Sequence, residues 1–179
     1  MAVVLRLEDG GIMEASSKGL GLFLDVRMRR IFLLGIISGF PWVLIGSALS
    51  LWLKEDGLSR SAVGWAGLIF SVYSINFLWA PLIDRLRVPF LTKKLGHRKA
   101  WILTMQVIIL AGLLLWANTA PSDNIVLVMA IGLAIAACSA TQDITIDALR
   151  IEQIDRAETG AMAAGASMAV IGWWTGFKL

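Results

Sequence analysis

The sequence contains few of the residues from which disulfide bonds, metal sites and charged surfaces are built. Its 179 residues include one cysteine and one histidine, which excludes an internal disulfide and a Cys/His metal cage. Charged residues make up 16% of the chain, whereas an average soluble domain contains about 25%. The amino-terminal residues also lack the apolar core of about seven residues that a cleavable signal peptide requires. We therefore expect the first apolar segment to insert as an uncleaved anchor, and we expect neither a metal nor a cofactor.

What the chain does contain is a series of long uncharged segments separated by short joints that carry charge. A helix rises about 1.5 Å per residue, so a segment of about 20 residues crosses a hydrocarbon core of about 30 Å. Backbone amides inside lipid must find their hydrogen-bond partners within the protein, which favours helices. The sequence therefore predicts an all-α membrane protein with five transmembrane helices, at about 31–53, 61–83, 100–120, 124–146 and 159–177.

The lysines and arginines are distributed unevenly between the two ends of these predicted helices. Most of the 16 basic residues lie in the amino-terminal tail and in the joints at 84–99 and 150–158, which all fall on one side. The other side holds only Lys54, Arg60 and Lys178. The positive-inside rule then predicts a multi-pass protein whose amino terminus is cytoplasmic. Because the net charge of +3 follows this topology, it indicates a lipid bilayer rather than a nucleic acid as the partner.

Two units are predicted, a cytoplasmic tail at 1–30 and a partial transmembrane bundle at 31–179. Gly21–Arg30 allows two interpretations, a short helix lying in the membrane interface or an irregular continuation of the tail. Within the bundle, small residues recur at helical spacing, which lets helix backbones approach closely in lipid. They are Gly35, Gly39 and Gly46 in the first span, Gly132, Ala136 and Ala140 in the fourth, and Gly165, Ala169, Gly172 and Gly176 in the fifth.

Several residues predict where the helices begin, bend and meet the membrane surface. Ser59 or Ser61 is expected to cap the second helix, and Asp123 the fourth. Pro41 interrupts the hydrogen-bond ladder of the first span. It marks either a bend beside a substrate cavity or a tolerated intramembrane proline. Five of the eight tryptophans lie near predicted span ends and are expected to be interfacial anchors: Trp52, Trp65, Trp79, Trp101 and Trp116.

The fourth predicted span ends on an unusual pair of carboxylates. Asp143 and Asp147 are four residues apart and so lie on one helical face, with Gln142 beside them. They are expected near the inner edge of the hydrocarbon core, at a helix C-terminus where the dipole disfavours negative charge. Either they titrate protons or face a substrate, or they pair structurally with Arg85, Arg98 or Arg150.

A second polar patch lies in the second span. Tyr73 and Asn76 are three residues apart, so they also share a helical face. They either line a cavity reached from the cytoplasmic half or form buried hydrogen bonds to a neighbouring helix.

The joint between the second and third spans resembles the loop motif of the major facilitator superfamily, roughly Gly-x-Leu-Ala-Asp-Arg-x-Gly-Arg-Arg. The matching residues are Asp84, Arg85, Gly96, Arg98 and Lys99. Ala80 replaces the first glycine, and a longer segment separates the two halves of the motif. The resemblance implies that Asp84 and Arg85 form a gating contact with the other half of the protein. The alternative is a solvated loop that only sets topology.

A combination of two segments is more specific. The residues at 77–85, Phe-Leu-Trp-Ala-Pro-Leu-Ile-Asp-Arg, are followed at 138–148 by Cys-Ser-Ala-Thr-Gln-Asp-Ile-Thr-Ile-Asp-Ala. Together they resemble the AmpG-type muropeptide permeases of the peptide and acetyl-coenzyme A transporter branch. That resemblance implies twelve spans in two halves and uptake of a muropeptide-like solute with protons across the bacterial inner membrane. Asn76 stands where many relatives carry lysine, which leaves the contact to an anionic ligand in question.

Three functions from different classes follow from these observations. The first is a solute transporter, of which this chain forms the N-terminal part. The second is a polytopic enzyme that uses Asp143 and Asp147 with a bound metal. The third is a non-transporting truncated product, because half of a facilitator protein is built from six spans and five are predicted here. We expect this polypeptide alone not to transport, since the C-terminal half that completes the cavity is missing from it.

Overall fold

The computed structural model describes residues 21–155 and 157–179, and within them all regular secondary structure is helical. Four of the helices are long and apolar enough to cross a membrane, which confirms the predicted all-α membrane fold. The helices are α1 (Val26–Glu55), α2 (Arg60–Leu78), α3 (Ala80–Arg85), α4 (Leu91–Leu95), α5 (His97–Trp116), α6 (Ile125–Glu152) and α7 (Thr159–Lys178).

The fifth predicted span forms α7, which is 20 residues long but is not among the four helices that qualify as spans by composition. Glycine and alanine occupy many of its positions, whereas the other long helices contain more leucine, isoleucine and valine. The count of five is therefore approximate. Those same small residues allow α7 to pack closely along α1, as described below.

The first helix begins earlier than the predicted residue 31. Asp25 caps it, because its side-chain carboxylate accepts a hydrogen bond from the Arg27 backbone N–H at 2.8 Å. Val26–Arg30 are the first turns of α1. Residues 21–23 are helical and are separated from α1 by a turn, and the interfacial helix stays a prediction. The predicted tail at residues 1–20 lies outside the described residues.

Pro41 lies inside α1 without ending it. The α-helical part runs from Val26 to Val43, a π-helical turn follows at Leu44–Ala48, and α-helix resumes at Leu49–Glu55. A proline cannot donate a backbone hydrogen bond, and irregular turns often accompany such a gap in the ladder.

The second predicted span, 61–83, is not one continuous helix. The Ser59 hydroxyl caps its start by accepting a hydrogen bond from the Ala62 N–H at 3.2 Å. Ser59 is one of the two caps that the sequence predicted. Two 3₁₀ segments, Gly67–Phe70 and Asn76–Leu78, then interrupt α2. The helix is interrupted at Trp79, and a new helix, α3, begins at Ala80 with Pro81 in its first turn.

The third and fourth spans also differ from their predicted limits. Helix α5 begins at His97 because Gly96, at φ 85°, turns the chain sharply out of α4. Asn124, rather than Asp123, caps α6, since its side-chain oxygen accepts from the Leu127 N–H at 3.0 Å. Helix α6 then continues to Glu152, beyond the predicted end at residue 146. This extension changes the environment of the carboxylate pair.

Helices α1 and α7 touch backbone to backbone. A Cβ atom added at Gly35 would lie 2.6 Å from the Ala169 carbonyl oxygen. Cβ atoms at Gly39, Gly172 and Gly176 would overlap carbonyl oxygens of the facing helix as well. The small residues of the first and fifth spans therefore form the close helix contact that their spacing predicts.

Helix α6 lies in the middle of the bundle. Its buried residues Val128, Ile131 and Ile135 pack with side chains of the other helices in the larger hydrophobic core. A smaller cluster around Met28 and Ile31 lies between α1, the end of α6 and α7. At the same end, the Arg27 guanidinium binds the Glu158 carboxylate with both of its terminal nitrogens at 3.0 Å. These hydrogen bonds hold the pKa of Glu158 below its usual range.

Candidate functional site

The polar segment of α6 lies in the interior of the bundle rather than at its rim. Ser139, Gln142 and Thr145 are completely buried, and Asp143 is partly buried. Because α6 ends only at Glu152, Asp143 is not at a helix C-terminus, and the predicted unfavourable dipole does not apply to it. Tertiary packing continues α6 beyond the end of the apolar sequence, and Asp143 therefore lies within the helix.

Asp143 faces α1. The hydroxyl of Ser38 donates a hydrogen bond to Asp143 Oδ1 at 2.5 Å, and Ser38 is itself buried. No cationic side chain forms an ion pair with Asp143 among the described residues. The structural interpretation, in which Arg85, Arg98 or Arg150 neutralises Asp143, therefore does not describe this carboxylate.

A cavity of about 310 Å³ opens beside Asp143, between α1, α6 and α7. Asp147 lies one turn further along α6 on the same cavity, as the four-residue spacing predicts. Its surroundings differ, because Asp147 is exposed and accepts a hydrogen bond from Arg150 Nη2 at 3.1 Å. Arg150 also lines the cavity, and the rest of the wall consists of small and apolar side chains: Gly35, Ile146, Ala166, Ala169, Val170 and Trp173.

Gln142 compensates for the proline of α1. Pro41 has no N–H, so the carbonyl of Ile37, four residues earlier, lacks its usual helical donor. The Gln142 side-chain amide lies 3.3 Å from this oxygen and donates to it. The Gln142 side-chain oxygen has no hydrogen-bond partner in the described part of the chain. Pro41 and Gln142 therefore act together: Pro41 leaves a carbonyl of α1 without its helical donor, and the Gln142 side chain of α6 supplies one.

We expect Gln142→Met to destabilise the bundle only while Pro41 is present. Removing the donor leaves the Ile37 carbonyl unpaired, which costs about 1 kcal/mol for interhelical hydrogen bonds in lipid. In Pro41→Ala, residue 41 regains an N–H that can bond to Ile37, so adding Gln142→Met should cost much less. The measurement is a double-mutant cycle of unfolding free energies in mixed micelles. Equal costs in both backgrounds would contradict the assignment.

Tyr73 and Asn76 have different surroundings. The Tyr73 ring packs on Trp42, with ring centroids 4.5 Å apart, and Tyr73 lies against Ser139 of α6. The polar atoms Trp42 Nε1, Tyr73 Oη and Ser139 Oγ are all buried without a hydrogen-bond partner in the part of the chain that is described. Asn76 is partly buried and begins a 3₁₀ turn. The structure therefore places Tyr73 near Asp143. Among the described residues, the Asn76 side chain forms no hydrogen bond that would join it to this region.

Two of the predicted interfacial tryptophans donate hydrogen bonds within the bundle. The Trp79 indole donates to Thr141 Oγ1 at 3.1 Å and so ties the end of α2 to α6. Trp116 is buried, and its indole donates to the Val128 carbonyl at 2.9 Å. Trp65 is 67% exposed and fits the predicted role. Position along the chain alone does not separate these cases.

The loop residues form a charged cluster that joins three helices. Arg98, at the start of α5, binds Asp84 of α3 at 2.5 Å and Glu152 of α6 at 3.0 Å. Arg85 and Lys99 are exposed, and neither has an ion-pair partner in residues 21–155 and 157–179. Gly96 supplies the positive φ that places Arg98 at the helix start. The structure thus unites Asp84 with Arg98, and adds Glu152, which sequence reasoning missed.

Other contributors were also missed. Ser38 and Trp42 of α1 contact the Asp143 region, yet neither belongs to a recognisable motif. A signal was available for Ser38, because it lies between Gly35 and Gly39 on the small-residue face of the helix. A polar side chain on a packing face in lipid requires a partner on the facing helix.

Comparison with known proteins finds a matching family model and several similar proteins. A family model described as acetyl-coenzyme A transporter 1 matches residues 27–129. The chain is 36% identical over 158 residues to a putative transporter AmpG 4 of Rickettsia felis, covering 88% of this chain and 37% of that protein. It is 32% identical over 161 residues to an anhydromuropeptide permease of Escherichia coli K12, covering 90% of this chain and 31% of the relative. The chain thus spans about a third of the length of these curated relatives. No solved structure matches it.

Proposed function

The chain belongs to the acetyl-coenzyme A transporter family, in the AmpG-type branch of the major facilitator superfamily, and from that premise we propose that it forms part of a proton-coupled transporter. The whole protein would take up a muropeptide-like solute. Membership of a transporter family decides against the alternative of a membrane enzyme built on Asp143 and Asp147. What this chain would contribute is the N-terminal part of the bundle and one wall of the solute pathway.

The observation that carries the proposal is the surroundings of Asp143. A carboxylate within a membrane segment is costly when charged, and such residues mark ion or proton pathways. Asp143 is held by one neutral hydroxyl, that of Ser38, and it borders an open cavity. Gain or loss of a proton would change the charge of Asp143, and among the described residues no cation is paired with it, since Arg150 on the same cavity is paired with Asp147. Such a change would act directly on α1 through Ser38, which is the coupling that a proton-driven transporter requires.

The nature of the solute is supported by the groups around the same cavity. Trp173 lines it and packs edge-on against Trp42 at 5.6 Å, with Tyr73 on the other side of Trp42. Aromatic faces together with a few polar groups are typical of pockets for organic ligands. An anhydromuropeptide contains sugar rings and amides that need both kinds of contact. The cavity of about 310 Å³ holds part of such a solute, and we propose that a C-terminal half supplies the opposite wall.

Orientation and gating belong to the same proposal. The ends of the helices that carry Arg27, Arg98 and Arg150 would face the cytoplasm, in agreement with the positive-inside rule. The protein would then lie in the bacterial inner membrane with its amino terminus inside. Asp84 and Arg85 lie at this end, where Arg98 fixes Asp84 and leaves the exposed Arg85 to contact the other half of the transporter.

Uptake of a labelled anhydromuropeptide by cells that produce the complete gene product tests the function. We expect accumulation against a gradient, and we expect a protonophore to abolish it because the proton gradient supplies the energy. Cells that produce only residues 1–179 should remain at background, since the proposed opposite wall of the cavity would be absent. Accumulation that survives the protonophore but follows a sodium gradient would contradict proton coupling. Dependence on a divalent metal would favour an enzyme.

A further inference from the structure

The loop between α3 and α5 contains a strained turn at Phe90, which the Leu91 N–H closes by donating to the Pro89 carbonyl oxygen at 2.7 Å. Phe90 has φ 62° and is the one non-glycine residue with positive φ among those described. A bulky side chain in this region is strained, and such strain persists where surrounding contacts require it. Yet the Phe90 side chain is 84% exposed. Packing within the described chain therefore does not compensate for the strain.

The exposed face of this loop combines apolar and basic side chains. Leu86 and Leu95 are 48% and 42% exposed, and they flank Phe90 along the sequence. Between them lie three exposed basic residues, Arg87, Lys93 and Lys94, and no acidic residue. The nearest carboxylates, Asp84 and Glu152, are both paired with Arg98. An aromatic and aliphatic surface whose own charged residues are all basic matches the boundary between acyl chains and anionic headgroups.

Hydrogen bonds fix the loop against the start of a membrane helix. The Trp101 indole in the first turns of α5 donates to the Leu86 carbonyl at 2.9 Å. His97 Nε2 lies 3.0 Å from the carbonyl oxygen of Ile83, and the Thr92 N–H donates to Val88 at 3.1 Å. Tryptophans at the ends of spans lie at the level of the headgroups. The loop is therefore held beside the membrane surface.

We propose that residues 86–96, the surface loop, bind anionic phospholipid of the bilayer that the helices span. Phe90, Leu86 and Leu95 enter the headgroup region, while Arg87, Lys93 and Lys94 contact the phosphates. The strained φ at Phe90 is the conformation that turns its ring towards the lipid. This function is independent of the solute, and it anchors the end of α3 that carries Asp84.

Spin labelling of the chain of residues 1–179 in vesicles tests the proposal. Cys138→Ala removes the native thiol, and Phe90→Cys supplies a single labelling site that keeps an L residue at the strained position. Ala157→Cys, in the exposed joint between α6 and α7 on the same side, is the matched control. In vesicles of phosphatidylcholine and phosphatidylglycerol, we expect collisions with membrane-dissolved oxygen, relative to a water-soluble nickel complex, to be several-fold more frequent at position 90 than at position 157.

Two outcomes would overturn the lipid contact. Equal access of the nickel complex to both positions would place the loop in water. Shielding of position 90 from both oxygen and nickel would show that protein covers it. Circular dichroism of each labelled variant verifies that the helices are retained.

The charge requirement has its own test. We expect protection of position 90 from the nickel complex to fall in pure phosphatidylcholine vesicles. The same loss should follow in anionic vesicles when Arg87, Lys93 and Lys94 are all replaced by glutamine. Unchanged protection in both experiments would overturn the assignment of anionic headgroups as the ligand.

Discussion

Gly39→Ala is expected to separate α1 from α7 and to lower the stability of the bundle more than any other single methyl group added to these helices. The new Cβ would overlap the Trp173 carbonyl oxygen and lie 3.1 Å from the Phe177 backbone nitrogen. Both contacts are to backbone, so no side-chain rotation relieves them. Overpacking costs about 1–3 kcal/mol in well-packed interiors. We expect a value at the upper end of that range, because the two helices must move apart.

A glycine of α2 provides the matched control. At Gly64 an added Cβ meets nothing within 4 Å, so Gly64→Ala makes the same chemical change in open space. Titration of both variants with dodecyl sulfate in mixed micelles, followed by tryptophan fluorescence and helicity, measures the two free energies of unfolding. Equal stability of Gly39→Ala and Gly64→Ala would show that α1 and α7 do not touch backbone to backbone at Gly39.

The close contact was predictable in part because spacing is a local property. Small residues four apart mark one face of a helix, and the sequence therefore predicted a close approach at Gly35, Gly39, Gly172 and Gly176. It did not predict that the first and fifth helices share that contact. The choice of partner depends on how whole helices are arranged, which no short pattern contains.

Helix limits were least predictable where tertiary contacts decide them. Helix α6 continues to Glu152, and Glu152 there binds Arg98 of α5. The apolar segment from which the helix was predicted ends before Glu152. The predicted helix therefore stopped at residue 146, and Asp143 lay near its end. The interruptions of α2 have a similar origin, because nothing in the residues of Asn76–Leu78 excludes a regular helix.

The candidate site was predicted as a set of residues on one face but not as a network. Asp143 and Asp147 lie on the same cavity, as their four-residue spacing requires. Their partners differ, and the decisive one is Ser38, which lies 105 residues away in sequence. The sequence likewise contained both Pro41 and Gln142, yet only the fold shows that one supplies the hydrogen bond that the other removes.

Asp143→Asn is expected to eliminate proton-driven accumulation of the solute by the complete gene product. The amide has nearly the shape of the acid and still accepts the Ser38 hydrogen bond, so folding should be preserved. It cannot release or bind a proton near neutral pH, and energy from the gradient is therefore not transmitted. Accumulation should fall to the level of cells without the transporter. Exchange of labelled for unlabelled solute at equal concentrations, which needs no proton movement, should continue.

Asp147→Asn separates this effect from a general loss of negative charge in the cavity. Asp147 is exposed and paired with Arg150, and exposed pairs of this kind contribute little to stability. We expect this variant to retain most of its accumulation, although the two carboxylates are only one helical turn apart. Full proton-driven accumulation in Asp143→Asn, or equal loss in both variants, would contradict a coupling role specific to Asp143. The difference between the two results from their surroundings, because the partner of Asp143 is a neutral hydroxyl and that of Asp147 is a cation.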